Sequence, residues 1–155
     1  MCKALTKKLW DYIKKNKLQD EKKRTQLLRR YWLLGQTLDG MRVWDVRRAI
    51  AAMKAIDPSR ELRITGSGEM GVVGLYAALF EPGIPEIMLQ APPASHASGP
   101  QLLNVLKVMD IPQAAALAAE KAKLRLTFSD AEAWKYPREV SEKLGWNSFE
   151  VTAPR

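Results

Sequence analysis

A serine, the single histidine and an aspartate, Ser67, His96 and Asp130, each follow a run of residues that reads as a strand. Those types supply a nucleophilic relay: a hydroxyl to attack a carbonyl carbon, an imidazole to take its proton, and a carboxylate to orient the ring. In open α/β sheets, ligands bind beyond the carboxyl ends of the strands. Neighbouring strands are about 4.8 Å apart, so the groups converge if the three strands are adjacent. His96 is the one neutral-pH base that needs no large pKa shift. The competing reading makes His96 a surface or hydrogen-bonding residue. One cysteine (Cys2) and one histidine cannot build a zinc site, and no metal or organic cofactor is expected.

The glycine-rich stretch Gly66-Ser67-Gly68-Glu69-Met70-Gly71 admits three readings. As G-x-G-x-x-G it is a dinucleotide fingerprint, with a helix N-terminus for the pyrophosphate. That reading wants an acidic residue ending the next strand. The next strand instead ends Met88-Leu89-Gln90, and Glu69 would repel phosphate. As a G-x-S-x-G nucleophile elbow, the turn puts Gly68 at the nucleophile position and Ser67 one residue early. In the third reading the glycines serve close packing alone.

These residues need elements to position them. Leu5, Leu9, Trp10 and Ile13 recur at helical spacing, followed by a charged break over Lys14–Lys23 and a short helix over Gln26–Leu34. Asp39 caps a helix to about Ile56, with Val43, Val46, Ile50 and Met53 on one face. A strand over Leu62–Thr65, the glycine turn, a helix over Val72–Phe80 and a strand over Glu86–Gln90 make a parallel unit with a right-handed crossover. Helices are predicted around Pro100–Met109, Pro112–Lys121 and Pro137–Leu144, and strands over Lys123–Phe128 and Ser148–Thr152. The expected architecture is α/β: a parallel sheet of about four strands with helices on its faces, preceded by a basic helical arm.

Charge is concentrated in that arm. Residues 1–35 hold eleven Lys/Arg against three acidic residues, a net of +8, and the remainder is neutral. Such an arm suits nucleic acid or an acidic protein surface, because phosphate contacts release counterions. The alternative is a solvated lysine face. No apolar stretch approaches the ~20 residues that span a bilayer, and no secretory signal stands at the start. No membrane partner and a reduced, cytoplasmic setting are therefore the expectation.

Two resemblances follow from these motifs. The stretch from Leu33 to Ala49, with Trp44-Asp45-Val46-Arg47-Arg48, resembles the helix before the nucleophile strand in bacterial α/β hydrolases of the acetyl xylan esterase type. The likeness continues through Gly66–Gly71, Leu75–Pro82, Pro93–His96 and Leu102–Leu106, covering about residues 30–150. It implies a partial α/β-hydrolase sheet and hydrolysis of a carboxylic ester or acetylated carbohydrate. By position the nucleophile site is Gly68, Asp130 sits where the triad acid often stands, and no histidine follows His96. The stretch Leu5–Asp20 is similar to an early helix of SWIB domains, with the likeness ending near Arg24.

The sequence thus predicts a chimera. Residues 1–25 form a basic SWIB-like fragment, and residues 26–155 a truncated α/β-hydrolase-like domain with weak or no esterase activity. Its candidate catalytic residues are Ser67, His96 and Asp130. A bare sheet edge invites self-association. The alternative function is a binding module whose basic arm recruits nucleic acid or protein.

Overall fold

Alternation of apolar and polar residues along four short strands decides which face of the sheet is covered. The computed structural model describes residues 21–127 and 132–152. The chain divides into two units, residues 1–37 and 38–155. In the first, helix α1 (Glu21–Leu33) closes with the Leu34 amide on the Arg30 carbonyl and the Gln36 amide on that of Tyr31. Residues 21–23, expected within the charged break, are already helical. The amphipathic segment from Leu5 to Ile13, and with it nearly all of the SWIB-like stretch, lies outside the described residues.

The second unit runs α2 (Leu38–Ile56), β1 (Arg63–Ser67), α3 (Gly68–Phe80), β2 (Glu86–Gln90), α4 (Ile111–Lys121), β3 (Lys123–Thr127), α5 (Lys135–Leu144) and β4 (Phe149–Thr152). Single 3-10 turns lie at Val105–Lys107 and Glu132–Trp134. All strand pairs are parallel, in the order β1-β2-β3-β4. The α/β class expected from sequence is therefore present.

The placement of the helices differs from expectation. When strand order follows chain order, right-handed crossovers put every connecting helix on the same face. Accordingly α3 packs on β1 and β2, α4 on β3 and α5 on β4, with α2 beside α3, α3 beside α4 and α4 beside α5. The described helices of this unit form one layer rather than covering both faces.

The covered face carries the row Ile64, Ile87, Leu124, Phe149 and the row Gly66, Leu89, Leu126, Val151. Ile87, Leu89, Leu124 and Leu126 are no more than 1% exposed. Each such side chain contributes about 1.5–3 kcal/mol relative to exposure. Helix α3 is buried from Gly71 to Ala78, which explains why it is apolar all round.

The opposite face is polar. Glu86 lies 3.1 Å from Arg63 and 2.8 Å from Arg125, and Glu150 lies 2.9 Å from Arg125 and 2.6 Å from Lys123. Glu86 is the buried member of this ladder, and its two guanidinium partners offset the cost of its desolvation. Lys123, and after it Arg125, holds the exposed Glu150 carboxyl below its ordinary range.

Two boundaries also move. Strand β1 continues through Gly66 and Ser67, and α3 begins at Gly68, so no separate glycine turn intervenes. Of the helix expected over Pro100–Met109, only the turn Val105–Lys107 forms. Asn104 is left-handed, with φ at 59°, which interrupts a right-handed helix. Among the described residues, no helix is long and apolar enough to cross a membrane.

Candidate functional site

The end of β1 turns into helix within one residue. Ser67 is extended, with φ at −124° and ψ at 150°, and Gly68 has φ at 54°, a conformation that favours glycine. The turn is tight because a Cβ on Gly66 would stand 2.6 Å from the Cα of Gly71. Among the described residues, nothing lies within 4 Å of a Cβ at Gly68. A side chain at position 68 would therefore project into open space at the carboxyl end of β1. Strand β1 thus passes into α3 through a sharp turn at a left-handed glycine.

Past the end of β2, His96 is 7% exposed and both its ring nitrogens are engaged. Nδ1 lies 2.7 Å from the carbonyl oxygen of Pro100, which only accepts, so Nδ1 carries the proton. In the neutral ring Nε2 then accepts from the Tyr76 hydroxyl on α3, at 2.8 Å. Burial first, and the charge of Asp110 second, pushes the Tyr76 phenol up to about 12, which keeps it a donor.

Asp110 organises the same loop. Its carboxylate accepts from the Ser95 hydroxyl at 2.5 Å, the His96 amide at 2.7 Å and the Ile111 amide at 2.8 Å. It also caps α4, where Gln113 closes a capping box by accepting from the Asp110 amide. Partial burial pushes the Asp110 carboxyl up, but the bonds from Ser95, His96 and Ile111 outweigh it, leaving the group below its ordinary value.

Of the three residues singled out in the sequence, Ser67 and His96 lie within the described residues. Ser67 is the N-cap of α3 without a side-chain capping bond. His96 bonds Tyr76 and Pro100 rather than Ser67. Asp130 lies outside the described residues. Sequence reading missed Tyr76, which has no local signal on its apolar helix. It also missed Asp110, although the spacing Asp110-x-x-Gln113 before an apolar helix is a start signal.

Beside His96, the segment 101–107 borders an open depression of about 380 Å³. The Gln101 amide at its rim bonds Asp39, 2.8 Å away at the start of α2, and Arg42 at 2.8 Å balances that carboxylate. Among the described residues, no group of three or more His, Cys, Asp or Glu side chains is arranged to hold a metal ion.

These features define an α/β protein with a four-stranded parallel sheet and a sharp strand-to-helix turn at the end of its first described strand. No protein-family model, no curated protein and no solved structure matches the chain.

Proposed function

We propose that the chain is a catalytically silent protein of α/β-hydrolase ancestry, related to carboxylic-ester hydrolases of the acetyl xylan esterase type. The observation that carries this reading is the elbow at Gly68: a tight strand-to-helix turn, a left-handed residue, and no side chain at the nucleophile position. The placement of His96 agrees with it, since Nε2 faces the Tyr76 hydroxyl rather than that of Ser67. Self-association along β1 or β4, the outer strands of the sheet, fits their unpaired edges.

Hydrolysis of p-nitrophenyl acetate tests the reading. The purified protein, Ser67→Ala and His96→Ala are all expected to match the buffer blank. Saturable turnover that either substitution removes would instead make the strand-end residues an active site.

A second reading rests on the charge partition, with all of the net +8 in residues 1–35. As a binding module, the chain would be retained on immobilised DNA in a salt-dependent manner, and retention would vanish when residues 1–25 are removed. Retention that is insensitive to salt, or that survives the deletion, would sink this alternative.

A further inference from the structure

We propose that the depression beside His96 binds a small amphipathic carboxylate of the medium-chain fatty acid class. The proposal does not depend on hydrolase ancestry. The space holds about 380 Å³ and is an open depression rather than a closed cavity, with Leu106 56% exposed, so a ligand's chain would lie along its wall. Leu102, Val105 and Leu106 supply an aliphatic wall, which suits an alkyl chain better than a sugar or a nucleotide base.

The polar groups specify the other end of the ligand. Among the described residues, Lys107 is the one lysine or arginine in the lining, and no aspartate or glutamate accompanies it. It takes part in none of the ion pairs among the described residues. The amide side chains of Gln101 and Asn104 add donors beside this cation. Asp39, the carboxylate bonded to the Gln101 amide, is already paired with Arg42 and does not leave an uncompensated negative charge at the rim. His96 contributes a wall rather than a ligand bond, because Tyr76 and Pro100 take both its nitrogens. Aliphatic wall, unpaired cation and amide donors together describe a carboxylate head on a short hydrocarbon tail.

The test titrates the isotopically labelled full-length chain with sodium octanoate, and separately with octanol, following backbone amide signals. Saturable shifts centred on residues 101–107 are expected, with octanoate binding about tenfold tighter than octanol. Lys107→Gln is expected to bring octanoate down to the affinity of octanol while leaving octanol unchanged. Leu106→Glu is expected to abolish binding of both. Both positions are exposed, so the variants should keep the wild-type spectrum outside the depression. Equal affinity for octanoate and octanol, octanoate binding unchanged in Lys107→Gln, shifts centred elsewhere, or no saturation would each overturn the proposal.

Discussion

Gly66→Ala is expected to lower unfolding stability by about 3 kcal/mol, the upper end of the usual cost of overpacking. The added methyl would meet three backbone atoms: the Gly71 Cα at 2.6 Å, the Gly71 nitrogen at 3.0 Å and the Met70 carbonyl oxygen at 3.3 Å. None of these is the end of a flexible side chain, so relief requires α3 to move off β1. That movement would disturb the helix at the centre of the core, which also packs on β2, α2 and α4. Gly68→Ala is the control. It meets nothing within 4 Å among the described residues, and its cost is the left-handed backbone alone, about 1 kcal/mol. Urea denaturation of both variants measures the contrast. Equal losses would mean that the elbow is held by backbone conformation rather than by the contact between strand and helix.

The same comparison shows what the residue pattern made legible. Strand β2 was predictable because a short apolar run was bounded by Pro82-Gly83 and Ala91-Pro92-Pro93, and β3 because an alternating run followed the end of α4. The junction of β1 with α3 was not. Glycines normally punctuate a loop, whereas here Gly66 lies within the strand because α3 comes too close for any Cβ. Within the helix expected over Pro100–Met109, Leu102, Leu103, Val105 and Leu106 do have helical spacing. A left-handed Asn104 breaks it, and nothing in the spacing of its neighbours marks that conformation.

The single helical layer was more legible than the reading made of it. Lys123-Leu124-Arg125-Leu126-Thr127 alternates strictly, as a strand with one wet face does. Parallel strands covered on both faces read as continuous apolar runs instead. Burial agrees, since Leu124 and Leu126 are fully enclosed while Lys123 and Arg125 reach the ion-pair ladder on the other face. Strand order completes the inference, because four parallel strands taken in chain order leave the second face without a connecting helix. The candidate site was less legible. Tyr76 meets His96 across 20 residues and through tertiary packing, so no local pattern could pair them.

Asp110 is where the loop after β2 and the start of α4 are held together, and Asp110→Ala should cost about 2–3 kcal/mol. That figure combines a lost helix cap of about 1 kcal/mol with charge-assisted bonds from Ser95 and the His96 amide, reduced because the site is partly solvated. Asp110→Asn keeps the shape and acceptor oxygen but loses the charge, so about 1 kcal/mol is expected. The pH dependence follows from the direction of the shift. The folded carboxyl lies below its ordinary value, so its stabilisation is present above the unfolded value of about 3.9 and is lost as pH falls through the folded value. The gap between wild type and Asp110→Asn should therefore be constant from neutral pH to about pH 5 and narrow below about pH 4. Chemical denaturation across that range reads it directly. A gap that widens on acidification would mean that Asp110 is destabilised by its surroundings. His96 would then owe its placement to Tyr76 and Pro100 alone.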